Sequence, residues 1–331
     1  MKKLYKIFYW ILFCFAIILT IGSILSVLRN IDSQFLKVLD FARIQFFLSA
    51  LIGLIIFLLI NRSWGKYDYF MIAGFVATMT IQSFYLIHYT PIVPKKVPDA
   101  TTDNVEDDRI SLVLMNVKMK NKNAQPIIDQ IREIEPDLFL AMEVNQWWND
   151  QLKVIEKEYP YSRKVLNELT YGMSLYSKFP FKKININYLQ NKNVPSFESI
   201  ITLDNGKDIR LYTIHPVPPI HFEHLPDNEG QREIAMKKLG EKIENKELPT
   251  IVAGDINDVV WSYTDGLTGT NDKLLDVRIG RGFYNSFNAH NFLTRWPLDH
   301  VFVTKEFMLN KIERLPKTSS DHFGIYVELA L

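Results

Sequence analysis

Several apolar segments of this 331-residue chain stop on side chains that bind cations or move protons. Ile110-Ser-Leu-Val-Leu-Met115 stops on Asn116, and Asp137-Leu-Phe-Leu-Ala-Met142 stops on Glu143. Ile251-Val-Ala-Gly254 runs into Asp255 and Asn257, and the pairs Asp299-His300 and Asp321-His322 each border a short apolar stretch near the C-terminus. Buried strands that repeatedly end in hydrophilic residues predict one shared polar site at an edge of stacked sheets. Carboxylates mixed with histidines suit a hard divalent cation and the hydrolysis of a phosphate ester. Asp255 and Asn257 fall on one face, because side chains two apart on a strand do. By the same rule His300 points away from Asp299 and is set aside.

The elements that must carry these residues alternate from Arg109 onward. The pattern predicts strands at 110–115, 138–142, 172–177, 181–188, 197–203, 209–213, 250–253, 301–303 and 324–329. Helices are predicted over 123–135, 146–158 and 229–245. Ile127, Ile128, Ile131 and Ile134 line one face of the first helix. Asp204-Asn-Gly-Lys207 is a hairpin signal. Long strand runs mixed with hairpins and helices suit two stacked sheets with helices outside, an α/β architecture.

Before Arg109 the composition changes. Tyr5–Val27, Ile44–Ile60 and Tyr69–Ile87 are apolar runs of the length a helix needs to cross a bilayer, about 17–25 residues. A cleaved leader does not explain the first run: its apolar core is too long, no small-residue cleavage site follows, and two more runs come after it. Residues 1–89 are therefore read as a membrane module with about three transmembrane helices, and 90–108, with Pro91, Pro94 and Pro98, as a tether. Residues 109–331 form the catalytic domain. Lys2, Lys3, Lys6, Arg62 and Lys66 favour an inside N-terminus, whereas Arg29, Lys37 and Arg43 in the first loop, with Lys95 and Lys96, argue against it. An inside N-terminus and three spans put the catalytic domain outside. The net charge is +1, yet residues 101–331 carry 28 basic and 33 acidic residues. That is no general case for binding a polyanion. Lys118, Lys120 and Lys122 read as a solvated loop. Cys14 is the single cysteine, which excludes a disulfide within the chain and a cysteine-ligated metal.

These segments, taken in order, resemble the endonuclease/exonuclease/phosphatase superfamily, whose members include nucleases, sphingomyelinases and inositol phosphatases. The residues that carry the likeness are Asn116, Pro136-Asp-Leu-Phe-Leu-Ala-Met-Glu143, Tyr171-Gly-Met-Ser-Leu-Tyr-Ser-Lys-Phe-Pro180, Thr213-Ile-His215, Gly254-Asp-Ile-Asn257, Leu298-Asp-His300 and Ser320-Asp-His322. The N-terminal spans and Thr213-Ile-His-Pro-Val-Pro-Pro219 look like the membrane-attached bacterial branch. The resemblance implies a four-layer α/β/β/α sandwich with a Mg²⁺ or Mn²⁺ site at one edge. It implies that Glu143 is the principal metal ligand, with Asp321 near the metal and Asn116 holding the phosphate or a metal water. Asp255 would deprotonate the attacking water, and Asn257 would donate to a phosphoryl oxygen. Asp299 would hold His322, which stabilises the transition state, and His215 would contact phosphate or act as an acid. Tyr171 is a further substrate-binding candidate at the rim.

Each residue also has a plainer reading. Glu143 could cap a helix dipole, Asp255 could make an Asx turn, and the Asp-His pairs could lie on the surface. His221, His224, Asn228, Arg232 and Arg295 are rim candidates whose plainer reading is a solvated side chain. Val117-Lys-Met-Lys-Asn-Lys-Asn123 lacks the acidic residue some nucleases carry there, and Met142 stands where many relatives have Gln. The expected function is a membrane-anchored, divalent-metal-dependent hydrolase of phosphodiesters or phosphomonoesters in the plasma or inner membrane of a bacterium. Its substrate would be a nucleic acid or a lipid head group, and its other partner the bilayer. The rival is a non-catalytic, membrane-displayed binding module that kept the fold.

Overall fold

The computed structural model describes residues 2–28, 33–61, 63–101, 109–219, 230–244, 247–262, 268–270 and 273–331. Arg29, Arg62, His221, His224 and Asn228 lie outside the described residues. Chain contacts separate a helical unit, up to Val93, from an α/β unit that begins at Pro94.

The helical unit contains α1 (Lys2–Leu25), α2 (Gln34–Phe41), α3 (Arg43–Ile60) and α4 (Lys66–Leu86). Among the described residues, three helices are long and apolar enough to cross a membrane, Lys3–Leu25, Arg43–Ile60 and Lys66–Tyr89. Small residues set their packing. A Cβ on Gly53 would meet the Phe75 ring at 2.7 Å, and one on Gly74 would meet Thr20 Oγ1 at 2.8 Å, the close approach that small residues permit between apolar helices. Arg43 is not a loop charge as its position suggested. It opens α3 and is fully buried. Its Nε donates to Asp40 Oδ1 at 2.8 Å, its Nη1 to Gln82 Oε1 at 2.9 Å, and its Nη2 to the Ser26 carbonyl at 2.8 Å. The guanidinium lies 3.6 Å from the centre of the Tyr85 ring. The short α2, which supplies Asp40, was not expected; its eight residues are too few to give a readable period.

The α/β unit opens with β1 (Arg109–Asn116), α5 (Gln125–Ile134), β2 (Leu138–Met142) and α6 (Gln146–Leu152). Next come β3 (Tyr161–Val165), β4 (Met173–Ser177), β5 (Phe181–Asn187), β6 (Ser196–Thr202) and β7 (Asp208–Thr213). After α7 (Gln231–Glu244) follow β8 (Thr250–Asp255), β9 (Leu275–Asp276), β10 (Asp299–Val303), β11 (Met308–Arg314) and β12 (Ile325–Ala330). They form two six-stranded sheets, ordered β11-β12-β1-β2-β4-β3 and β5-β6-β7-β8-β10-β9. Each sheet has one parallel pair, β1 with β2 and β7 with β8, and its other pairs are antiparallel. A parallel pair needs a crossover. Here α5 and α7 supply the two crossovers, one on each outer face.

Strand alternation explains the layers. Leu112 and Leu114 of β1, Leu138 and Leu140 of β2, Leu211 of β7, Ile251 and Ala253 of β8, and Val301 and Val303 of β10 fill the space between the sheets. Their neighbours point outward: Val113 and Phe139 pack with Ile127, Ile128 and Ile131 of α5, while Tyr212, Val252 and Phe302 pack with Met236 and Leu239 of α7. The order is therefore helix, sheet, sheet, helix, the expected α/β sandwich. Each fully buried isoleucine of α5 contributes about 1.5–3 kcal/mol to holding that layer.

Candidate active site

The alternation that builds the core also places the site. Asn116, Asp255 and Asp299 share the parity of their strands' inward residues, so their side chains face between the sheets at one edge. They cluster at the C-terminal ends of both parallel pairs, where α/β sheets generally present ligand sites. The antiparallel register sets Asp299 directly opposite Asp255. Gly254 is required here, since a Cβ at that position would meet the Ile214 carbonyl oxygen at 1.7 Å.

Asn116 bridges the sheets. Its Nδ2 donates to Glu143 Oε1 at 2.9 Å and to Asp255 Oδ2 at 3.2 Å. Its Oδ1 accepts the Lys118 N–H at 2.9 Å, which fixes the amide's orientation. Glu143 follows β2 at a parity that should turn it outward. A left-handed backbone, φ 62°, redirects it, and its Oε2 accepts the Met119 N–H at 3.0 Å. Strained non-glycine positions of this kind cluster at functional sites.

Asp255 is fully buried, and three donors face one of its oxygens. Besides Asn116 Nδ2, His215 Nε2 lies 3.8 Å and His322 Nε2 3.7 Å from Oδ2. The other oxygen accepts the Asn257 N–H at 2.8 Å. Burial and, after it, the charge of Asp299 push the Asp255 carboxyl above the ordinary carboxylate range, and the two histidines and that N–H only partly oppose the rise. His322 Nδ1 is 2.8 Å from Asp299 Oδ2. Burial works against charging His322, but Asp299 and Asp255 outweigh it and push the imidazole up to about 10. Burial likewise acts to raise Asp299; the His322 charge and hydrogen bond outweigh it, and the carboxyl ends lower than usual.

Asp321 pairs with Lys118 Nζ at 2.9 Å. Asn257 has a left-handed backbone, φ 57°, and its Nδ2 donates to the Pro216 carbonyl at 3.0 Å. Tyr171 is 1% exposed, with its ring centre 5.6 Å from that of His215. His300 points away, as parity requires, with Nε2 2.8 Å from the Asp258 carbonyl, and burial holds it well below the usual imidazole range. Three rim candidates are corrected: Tyr171 is buried rather than at the rim, and two arginines are not solvated. Arg232 is buried and paired with Asp258, and Arg295 is half-buried, donating from Nε to the Asn288 carbonyl at 3.1 Å and lying over the Phe323 ring. The Lys118 loop is not simply solvated either, since Lys118 reaches the site.

Ser286 and Phe287, which carry no sequence signal, complete the frame with Ser320 of the quoted Ser320-Asp-His322 segment. Ser286 Oγ accepts the N–H groups of Leu298 and Asp299 at 3.1 Å, and the Phe287 ring centre lies 5.0 Å from that of His322. Ser320 Oγ donates to the Asn116 carbonyl at 2.7 Å. Only Ser320 stood beside a residue of evident chemistry.

The donor set fits a divalent cation. The carboxylates of Glu143 and Asp255 share one neutral amide group between them, leaving charge for a hard cation to neutralise. Ligand atoms of Asp255, Asp299 and His322 also lie within 4.8 Å of one another, but a protonated His322 has no free lone pair to coordinate. His215 Nδ1 and Asp299 Oδ1 are buried with no hydrogen-bond partner among the described residues.

Residues 113–322 match the profile of the Endonuclease/Exonuclease/phosphatase family. Comparison with curated protein sequences gave no match. Among solved structures, a humanized D. rerio TDP2 is 16% identical with a TM-score of 0.56, over 68% of this chain and 100% of that one. The human Nocturnin catalytic domain, with bound sulfate anion, is 13% identical with a TM-score of 0.54, over 69% and 95%. An endonuclease/exonuclease/phosphatase family protein from Bacteroides thetaiotaomicron is 17% identical with a TM-score of 0.52, over 69% and 99%. At these identities the likeness is one of fold.

Proposed function

Since the chain belongs to the endonuclease/exonuclease/phosphatase family, we propose that it is a divalent-metal-dependent phosphoesterase anchored in a lipid bilayer. One observation carries this reading: Asn116 Nδ2, His215 Nε2 and His322 Nε2 converge on one oxygen of buried Asp255. A lone carboxylate at a strand end needs no such company, whereas hydrolysis of a phosphate ester uses a base beside donors that can take the charge building on the phosphoryl group.

Asp255, its basicity raised by burial and by Asp299, takes a proton from the attacking water. The His322 imidazolium, held through Nδ1 by Asp299, offers Nε2 to the charge that builds on the phosphoryl oxygens or the leaving oxygen. His215 Nε2 would supply a further donor, while Asn116 Nδ2, with its two hydrogens given to Glu143 and Asp255, holds those carboxylates in place. The Asn257 N–H holds the unused oxygen of Asp255, fixing the direction in which the base faces. Glu143 and Asp321, with Asn116, would hold Mg²⁺ or Mn²⁺ directly or through water, and that ion would supply charge neutralisation and polarise the phosphoryl group. The Tyr171 ring packs edge-on against the His215 imidazole and would help to hold it.

The three apolar helices would hold this unit at the membrane. N-terminal lysines and three spans favour the outer face of the plasma or inner membrane of a bacterium. A C-terminal reporter tests the side, and cytoplasmic signal would overturn it. The substrate class is a phosphodiester or phosphomonoester, from nucleic acid or a lipid head group. The deciding experiment is turnover of bis(4-nitrophenyl) phosphate, plasmid DNA, RNA, sphingomyelin and phosphoinositides by the detergent-solubilised full chain, with Mg²⁺ or Mn²⁺ and with EDTA. Metal-dependent turnover lost in Glu143→Gln and Asp255→Asn supports the reading. No turnover on any substrate would leave the binding module.

A further inference from the structure

We propose that the hairpin tip at Phe292-Leu293 dips into the lipid bilayer, and that the ester hydrolysed at this site is the phosphate of a lipid head group. The inference rests on the phosphoesterase reading above and names its substrate class.

The hairpin is built onto the site. Phe287 pairs with Trp296 across its base and with His322 on the other side. The Phe287 N–H donates to the Trp296 carbonyl at 2.9 Å and the Asn288 N–H to the Thr294 carbonyl at 3.2 Å, while the Phe287 and Trp296 rings stack. The Ala289 N–H donates to the Asp321 carbonyl at 2.7 Å, so one arm runs along Asp321-His322. Asn288 and Asn291 tie the turn itself: their side chains accept the His290 and Leu293 N–H groups at 2.7 and 2.9 Å.

Such a turn would ordinarily show polar side chains to water. Instead Phe292 is 78% and Leu293 72% exposed, the highest values for large apolar side chains among the described residues of the α/β unit. Apolar side chains scattered singly over a surface are ordinary; two together on a tied turn point to something that covers them. The charge beside them says what. Phe287–Pro297 contains no acidic residue. Arg295 and Arg314 both lie over the Phe323 ring, 4.9 and 4.5 Å from its centre. Their hydrogen bonds run to the neutral carbonyls of Asn288 and Asn285, which leaves both positive charges for an anionic partner. An apolar tip with guanidinium groups behind it complements a bilayer, whose acyl boundary takes the tip and whose phosphates take the arginines. A nucleic acid would answer the arginines but not Leu293. The chain also keeps a bilayer close. Residues 90–96 alone separate Tyr89, the end of the third apolar helix, from Val97 in the inter-sheet core, and those peptide steps span at most about 30 Å. With the tip in lipid, Asp321-His322 comes to the layer of head-group phosphates. The reaction there is the same hydrolysis: the oxygen of water joins phosphorus, one ester P–O bond breaks, and the leaving alkoxide takes up a proton.

The test reads the tip and the turnover separately. Nitroxide labels are placed at Phe292→Cys and, as a control, at Val154→Cys, each in the full chain carrying Cys14→Ala. Val154 is an exposed apolar residue beside Arg132 at the end of α5. In nanodiscs of phosphatidylcholine and phosphatidylglycerol, power-saturation EPR should show the label at 292 relaxed by oxygen and shielded from a nickel chelate, and the label at 154 the reverse. Equal access of the chelate to both would overturn the membrane contact. In vesicles, wild type should release head groups from phosphatidylglycerol, sphingomyelin or a phosphoinositide in the presence of Mg²⁺ or Mn²⁺. Phe292→Ser with Leu293→Ser should lower that release, relative to turnover of bis(4-nitrophenyl) phosphate by the same variant, about tenfold, the factor that burying one such side chain supplies. An unchanged ratio in a variant with a normal unfolding transition would count against the tip's role. Hydrolysis of plasmid DNA with every lipid untouched would overturn the substrate class and leave the phosphoesterase reading standing. Turnover of no ester, bis(4-nitrophenyl) phosphate included, would sink that reading and the substrate class with it, while the label at 292 would still decide the membrane contact.

Discussion

Two of the places where the protein buries charge, one in each unit, are finished differently. In the helical unit, Arg43 is surrounded by Asp40, Ser26, Gln82 and the Tyr85 ring, so its donors all have acceptors. In the α/β unit, Asn116 and Asn257 donate to Asp255, but the Nε2 atoms of His215 and His322 stop short of it at 3.8 and 3.7 Å, while His215 Nδ1 and Asp299 Oδ1 have no partner among the described residues. A closed network holds helices together, and an open one is poised to receive something. Leaving a buried polar group unpaired costs about 1–3 kcal/mol, so the open cluster is a standing cost that folding alone does not explain.

The contrast can be broken from the open side first, where the effect is largest. Asp255→Asn should lower turnover about 10²–10⁴-fold with an unchanged or raised melting temperature, because the amide relieves repulsion with Asp299. A stability loss with turnover intact would mean that the cluster is structural. On the closed side, Arg43→Met should destabilise the helical unit by about 3–5 kcal/mol, because it strands the Asp40 carboxylate. Turnover per folded molecule should not change, and Arg43→Leu with Asp40→Leu should recover much of the loss. Thermal unfolding in detergent, followed with turnover on the same samples, checks both statements.

Asp299→Asn should cost about 1.5–3 kcal/mol, the range for a hydrogen bond to a charged group, with a pH dependence that identifies the pair. His322 has its pKa raised to about 10 from an ordinary 6.5. The stabilisation from its protonated form is therefore fully present below about pH 6.5 and is lost as pH rises through about 10. The stability gap between wild type and variant should be widest near pH 6 and shrink toward pH 10, measured by urea unfolding with EDTA present. A gap flat across that window would mean that the pair is not ionised. The smallest effect sharpens the comparison from the closed side. Tyr9 donates to Asp68 at 2.7 Å within the helical unit, and Tyr9→Phe should cost about 1 kcal/mol.

The sequence revealed the central strands because each carries a continuous apolar run that ends in a polar stop. It did not reveal β3 and β11, where Tyr-Ser-Arg-Lys-Val and Met-Leu-Asn-Lys-Ile-Glu-Arg lie at the sheet edges, face solvent and keep no clean alternation. The helix expected over 146–158 stops at Leu152 and continues as a 3₁₀ turn, Lys153–Ile155. The segment read as a tether, 90–108, is fastened near its middle: Val97 is buried in the inter-sheet core, and Ala100 N donates to the Leu309 carbonyl at 2.9 Å. Parity alone placed Asp255 and Asp299 inward and His300 outward. It could not place Glu143, whose direction depends on a left-handed backbone, or Lys118, whose reach depends on a clamp made by Asn116 and Trp148. Arg232 and Arg295 were misjudged as solvated because the acceptors that hold them, the Asp258 carboxylate and the Asn288 carbonyl, are 26 and 7 residues away.

The hydrogen bonds of Asn116 have a mechanical consequence. Its amide links a residue at the tip of one sheet to a residue at the tip of the other, so the distance across the site is the spacing of the whole stack. The reactive centre behaves like a calliper whose jaws are two sheets and whose setting is the leucine and valine filling between them. Softening that filling, as in Leu140→Ala, loosens the setting of the jaws. Turnover should then fade on warming before either sheet begins to melt.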